Sequence, residues 1–218
     1  MVDEVFAWTN SIVPEDLDAH MASIGQVQAN ALITEKLFAD YPLKPGSSLL
    51  VHACGTCQLF DFFDPSVLWS GLKVTLADVS LKLIDAAKKR LASLKLSFPI
   101  VRDDIENTSF QGDFNAVLLV LVLHHVNWKK SVENMIKLNP SVFYVIEQEQ
   151  DGSSAVNLKR ELPESIRKYA EEYAPAPIKR KEITSFFEEK GFKLQHTEEQ
   201  QVPDNKKMIG LVFTKKTV

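Results

Sequence analysis

Eight consecutive apolar residues at positions 116–123, AVLLVLVL, limit what this 218-residue chain can fold into more than any other feature. A strand with one wet face alternates polar and apolar side chains, whereas a run without alternation suits a strand covered on both faces, as at the centre of a parallel sheet. The run is short for a buried helix and is bounded by Asn115 on one side and by His124 and His125 on the other. It is also too short to span a bilayer.

Further apolar runs predict a regular alternation of strand and helix. Residues 47–53, 73–78, 97–102, 115–123 and 142–147 read as five strands. After the second, Ser80 can cap a helix whose buried face is Ile84, Ala87, Leu91 and Leu94, with Lys82, Lys88, Lys89, Arg90 and Lys95 mostly on the solvated side. Residues 129–138 supply the helix between the fourth and fifth strands. Residues 151–176 are charged and carry Pro163 and Pro175, with a helix at 164–173 lying outside the sheet. A helix at 181–190 stops at Gly191. Residues 192–198 and 207–214 then read as an antiparallel hairpin turning at Pro203, Asp204 and Asn205. Before the first strand, residues 1–45 hold two helices, one at 14–22 and one marked by Ala29, Leu32, Ile33 and Leu37. The expected architecture is α/β: a Rossmann-like doubly wound sheet of seven strands, mainly parallel, with a C-terminal antiparallel hairpin. An N-terminal helical cap (1–45) and an insertion at about 151–180 complete one domain.

The end of the first strand carries the chemistry. LLVHACGTCQ ends an apolar run in a small-residue turn, and Asp78 closes the next run about 20 residues on. A turn lets backbone N–H groups approach a ligand, and a carboxylate at the neighbouring strand tip can accept hydrogen bonds from both hydroxyls of a ribose. This is how an α/β sheet holds an adenosine-containing cofactor. Where alternate glycines would suit such a turn, the chain has Ala53, Gly55 and Cys57. Alanine costs little where φ stays negative, while cysteine is harder to accommodate where the backbone swings or a ligand passes close.

Charge and termini exclude other classes. A formal net charge of -4 offers no dedicated surface for a polyanion, so nucleic acid is not an expected partner. Asp3 and Glu4 stand where a secretory leader would be basic and apolar, which makes a cytoplasmic protein without membrane partners the expectation. Cys54 and Cys57 lie in one turn and provide no long-range disulfide framework.

With five βα units and a hairpin, residues 45–215 resemble the class I S-adenosylmethionine-dependent methyltransferases. The glycine motif of that family falls on Val51-His52-Ala53-Cys54-Gly55-Thr56-Cys57, with Cys-Gly-Thr intact and both flanking glycines replaced. The acid that opens the motif and helps organise the methionine end is Val51 here. The resemblance places the ribose acid at Asp78, followed by Val79, and the acid beside the adenine at Asp104, followed by Ile105. FNAVLLVLVLHHV matches the fourth-strand motif and puts Val120 beside the cofactor. The resemblance implies S-adenosylmethionine as cofactor and S-adenosylhomocysteine as product, with cofactor contacts from Ala53, Cys54, Gly55 and Cys57. The implied reaction is displacement of a methyl group from a sulfonium by a small-molecule nucleophile, in which the protein aligns the reactants, excludes water and takes a proton where one is released.

Three residues are candidates for that base: His124, His125 and Glu147, the imidazoles for their pKa range. Phe6, Trp8, His20, Trp128, Tyr169 and Tyr173 are candidates for lining a substrate pocket. Each has a plainer reading: Asp78 as a helix-dipole acid, Asp104 or its neighbour Asp103 as a turn cap, one or both histidines as structural, the aromatic residues as core. Two other functions stand beside methyl transfer. Cys54 and Cys57 form the C-x-x-C of a thiol-disulfide oxidoreductase, with Pro99 downstream where a thioredoxin-like fold keeps a proline. Val51 and Cys57 suit a methyltransferase-like scaffold that has lost catalysis. No metal-ligand cluster is apparent, and the residues leave the methyl-accepting atom and the oligomeric state open.

Overall fold

The computed structural model describes residues 4–149, 162–173, 178–203 and 206–216, with side chains from residue 8 onward. Seven strands among them form one sheet: β1 (Ser48–His52), β2 (Lys73–Asp78), β3 (Ile100–Arg102), β4 (Ala116–Val120), β5 (Val142–Glu149), β6 (Phe192–Val202) and β7 (Lys206–Lys215). Their order is β3-β2-β1-β4-β5-β7-β6. The first five are parallel, and β7 runs antiparallel between β5 and β6. The sheet order reverses between β1 and β4, so the crevice at their carboxyl ends is the place where such sheets receive ligands.

The unbroken apolar run is central because both faces of the sheet are covered. Leu49, Val51, Leu76, Leu118 and Ile146 point into one core. Leu50, Ala77, Val117, Leu119 and Val145 point into the other. The run ends earlier than its composition suggests: Leu121 adopts φ +53°, which takes it out of the strand, and Leu123–His125 form a 3-10 turn. At β3, residues 97 and 98 stay outside the ladder, with Leu96 and Phe98 packed on the first core, while Pro99, which has no N–H to give, joins it only through its carbonyl, accepting Leu76 N at 2.9 Å.

The helices are α1 (Glu4–Ser11), α2 (Pro14–Ser23), α3 (Gln26–Asp40), α4 (Pro65–Leu68), α5 (Leu81–Ser93), α6 (Trp128–Ile136), α7 (Glu164–Glu172) and α8 (Arg180–Glu189). Ser80 caps α5 through Leu83 N, as its position predicts. Leu94 falls at the C-cap and is 37% exposed, off the buried face. Arg90 also departs from expectation: it turns away from solvent to bind Asp18 on α2. The 1–45 segment divides in two. The α1 and α2 helices are a cap, whereas α3 is a core helix whose Ile33 and Leu37 lie against β7 at Gly210. A Cβ at Gly210 would stand 2.3 Å from Ile33 Cγ2, so the close approach of α3 to the sheet requires glycine there. The expected helix at 164–173 is α7. Residues 150–161 and 174–177 of the expected insertion, and Asp204 and Asn205 of the hairpin turn, lie outside the described residues.

Candidate functional site

The turn after β1 keeps the backbone path of a glycine-rich loop without the glycines. Ala53, Gly55 and Cys57 have φ of +57°, +56° and +58°. The condition under which alanine would cost little, a negative φ, is not met at Ala53. Two L-residues hold the left-handed conformation, at roughly 1–2 kcal/mol each. The path is held by Cys54 N donating to Ala77 O at 2.9 Å and Cys57 N to Cys54 O at 3.0 Å. A Cβ built on Gly55 would meet nothing within 4 Å, so open space adjoins the turn at its one glycine.

Asp78 closes β2 beside this turn. Its Oδ2 accepts from Gly55 N at 2.8 Å and its Oδ1 from Ser80 N at 2.9 Å. Burial raises its pKa from the usual carboxylate value, opposed by the N–H donors of Ser80 and Gly55. Two backbone bonds occupy about half of a carboxylate's acceptor capacity. Val79 follows it, half-buried, its carbonyl accepting from Arg102 Nε at 3.2 Å.

The two aspartates after β3 divide their work. Asp104 is half-buried and takes Glu106 N and Asn107 Nδ2, each at 2.8 Å, as a turn cap. Ile105 is 4% exposed and packs in the second core. Asp103 reaches inward to His52 Nε2 at 2.9 Å and accepts both Ser109 N and Ser109 Oγ at 2.7 Å. Burial works against its charge, but the donors from His52, Thr108 and Ser109 prevail and hold its carboxyl at about 2. This buried pair ties β1 to the loop carrying Asp104. A histidine inside an otherwise apolar strand was the signal for it.

At the end of β4, half-buried Val120 precedes the break at Leu121, whose N–H donates to Ile146 O at 2.8 Å. The 3-10 turn then sets two imidazoles side by side, with ring centroids 3.9 Å apart. His124 Nδ1 lies 2.6 Å from Glu147 Oε2, and Glu147 Oε1 accepts Leu123 N at 2.7 Å. Glu147 is 2% exposed, so its carboxylate is spent on orienting His124. A carboxylate only accepts, so Nδ1 of His124 donates to it and Nε2 is left with a lone pair. His125 Nδ1 pairs with Tyr169 OH on α7 at 2.7 Å, and Trp8 of α1 lies over His125 at 4.7 Å. Tyr173 stacks on Tyr169.

The other residues marked for a pocket lie apart from the histidine pair or outside the described side chains. Trp128 packs edge-on against Phe186 of α8, 5.0 Å away, because α6 starts at that residue and turns the ring into the second core. His20 is half-buried on α2. The side chain of Phe6 lies outside the described residues. Cys54 and Cys57 are both free thiols. A hydrogen bond with Cys57 and burial raise the Cys54 pKa well above its usual value, the reverse of what a nucleophilic thiol needs. The sheet also has five parallel strands and a C-terminal hairpin, which the thioredoxin-like alternative does not contain. No helix among the described residues is long and apolar enough to cross a membrane.

Missed from the sequence was a clamp from the cap. Asp18 on α2 accepts Thr56 Oγ1 at 2.5 Å and Arg90 at 2.6 Å, while Arg90 also donates to Thr56 O at 2.7 Å.

Residues 49–139 match the family model described as a methyltransferase domain. A search of curated protein sequences returns no match. Among solved structures, the chain is similar to magnesium protoporphyrin IX methyltransferase from Synechocystis PCC 6803 with bound SAM, at 17% identity and TM-score 0.61, covering 85% of this chain and 77% of that one. It is also similar to Haemonchus contortus phosphoethanolamine N-methyltransferase 2 in complex with S-adenosyl-L-methionine, at 14% identity and TM-score 0.66, covering 92% and 57%. A third is the [4+2]-cyclase SpnF, at 12% identity and TM-score 0.65, covering 86% and 82%. Sheet order agrees with these likenesses: residues 49–139 match the methyltransferase-domain model, within a chain that has a Rossmann-like fold similar to that of the solved S-adenosylmethionine-dependent methyltransferases.

Proposed function

We propose that this protein transfers a methyl group from S-adenosylmethionine to a small-molecule acceptor. The observation that carries the reading is the path of the turn: three left-handed residues at 53, 55 and 57, open space at Gly55, and the Asp78 carboxylate bonded to Gly55 N. The donor set suits an adenosine-containing cofactor, because Asp78 has acceptor sites left for ribose hydroxyls and Asp104 stands at the next strand end. Val79 and Val120, both half-buried, supply apolar surface with Ile105 packed in the core behind Asp104, and Ala53, Cys54 and Cys57 supply backbone. When bound, the cofactor supplies a methyl group made electrophilic by its sulfonium.

The chain's own part is to hold, orient and take a proton. His124 is the base in this reading: Nε2 accepts the proton from the acceptor's nucleophilic atom, and Glu147 stabilises the resulting imidazolium through Nδ1. Trp8 from the cap and Tyr169 from α7 pack on His125, with Tyr173 stacked on Tyr169, and exclude water from the histidine pair. The small-molecule class of acceptor is supported by neighbours named for porphyrin and phosphoethanolamine methylation.

A second reading, a domain of this fold without methyl transfer, has one observation of its own: both Asp78 oxygens are engaged by backbone N–H groups and the residue is 2% exposed. A panel of small-molecule acceptors incubated with methyl-labelled S-adenosylmethionine separates the two. Label transfer that His124→Ala suppresses supports methyl transfer. Binding of the cofactor with no transfer to any acceptor class favours the second reading.

A further inference from the structure

The turn that receives the cofactor in the proposed function is not self-supporting. Cys57 and Ala53 hold left-handed conformations that glycine would adopt freely, and such strained segments persist only where their surroundings over-determine them. Val51, at the strand position just before the turn, is apolar and 5% exposed, so it offers no polar group to the loop.

Among the described residues, two carboxylates bond to atoms of the turn. Asp78 does so from the sheet, at Gly55 N. The other is Asp18, from α2. Its Oδ1 accepts the Thr56 hydroxyl at 2.5 Å, its Oδ2 accepts Arg90 at 2.6 Å, and its backbone oxygen accepts Gln58 Nε2 at 2.9 Å. Arg90 completes the clamp by donating to Thr56 O at 2.7 Å and pairing with Asp61 at 3.2 Å. Thr56 is 3% exposed and stands between the two left-handed residues Gly55 and Cys57. Its side chain and carbonyl are thus fixed from outside the loop, and the orientation of the neighbouring amides follows from them. The Asp18 and Arg90 side chains are only about one-fifth exposed, 22% and 19%, a setting in which an ion pair with good geometry is screened less than a surface pair.

We propose that Asp18 is a positioning residue for the cofactor turn, so that the N-terminal cap sets the geometry in which the amino-acid end of S-adenosylmethionine is received. The inference rests on the cofactor reading above. Asp78 holds the turn at Gly55 from the tip of β2, whereas Asp18 holds it at Thr56 from α2, so the two carboxylates act on different residues of the turn. The same α2 helix bonds to α7 through Asp16 and Ser165, at 2.7 Å, which links the turn to the helix that carries Tyr169.

The test is calorimetric titration of the full chain, unmodified and with Asp18→Ala or Asp18→Asn, using S-adenosylhomocysteine and 5′-methylthioadenosine, which lacks the amino-acid end. Losing a hydrogen bond to a charged group corresponds to about tenfold or more in affinity. The expected result is a loss of that size for S-adenosylhomocysteine in Asp18→Ala, with 5′-methylthioadenosine within about twofold of the unmodified protein. Asp18→Asn keeps an acceptor for Thr56 and is expected to lose less. Equal affinity for S-adenosylhomocysteine in Asp18→Ala overturns the proposal, and so does an equal loss for both ligands, which is what general loosening of the fold produces. An unmodified protein that binds neither ligand removes the cofactor reading itself, and the proposal with it.

Discussion

Replacing Asp103 with asparagine is predicted to cost stability in a way that depends on pH. The carboxylate accepts His52 Nε2, Ser109 N and Ser109 Oγ with its side chain 1% exposed, and these donors hold its carboxyl at about 2. Its folded value lies below the ordinary 3.8, so the ionised form favours the folded state. The contribution is complete above the unfolded value and is lost as pH falls through about 2. A fall from 3.8 to about 2 corresponds to about 2 kcal/mol at pH 7, and linkage leaves roughly half of it at pH 3. Urea unfolding followed by tryptophan fluorescence at pH 7 and pH 3 measures both proteins. Other carboxylates titrate in this range too, so the quantity that matters is the difference between unmodified protein and Asp103→Asn at each pH. That difference should shrink by about 1 kcal/mol from pH 7 to pH 3. A difference unchanged over this range refutes the argument, because the lost stability would then not come from the ionised carboxylate.

Other outcomes follow from the same structure. Cys57→Gly relieves a left-handed L-residue, so cofactor affinity should be kept or improved in a titration; a tenfold loss would mean that the side chain, and not the path of the turn, makes the site. Gly210→Ala forces a methyl against Ile33 and should lower stability by about 1–3 kcal/mol in denaturant unfolding, with an unchanged midpoint contradicting the close packing of α3 on β7. His124→Ala and Glu147→Gln should lower the rate constant of methyl transfer by about 100-fold or more and leave cofactor affinity within about twofold, and a matching fall in affinity would move the pair from proton transfer to cofactor binding.

Most of the sheet was legible because its strands are apolar runs closed by turn residues. The run at 116–123 specified a buried central strand, and Ser80 after Asp78 marked a helix start that the structure keeps. The strand ended three residues early because Leu121 takes a conformation that no apolar pattern encodes. The same holds at Ala53, whose left-handed φ is set by the neighbouring Cys54 N to Ala77 O bond and the turn geometry, not by its own preference. Trp128 stands beside the histidine pair in sequence, and at the start of α6 its ring packs edge-on against Phe186, a contact no sequence pattern gave. Asp18 carried no signal at all. On a short, largely polar helix it reads as one more solvated acid, and only the tertiary fold brings it to Thr56, 38 residues on. His52 was a signal left unread: a polar side chain in a buried strand requires a partner, and Asp103, read from the sequence as a turn cap, is that partner.

The central claim is that the turn at 53–57 and Asp78 hold an adenosine-containing cofactor, and calorimetric titration of the reduced protein with S-adenosylhomocysteine tests it most directly. The account predicts one-to-one micromolar binding that Asp78→Ala reduces at least about tenfold, whereas no heat of binding in the unmodified protein, or equal affinity in Asp78→Ala, contradicts it.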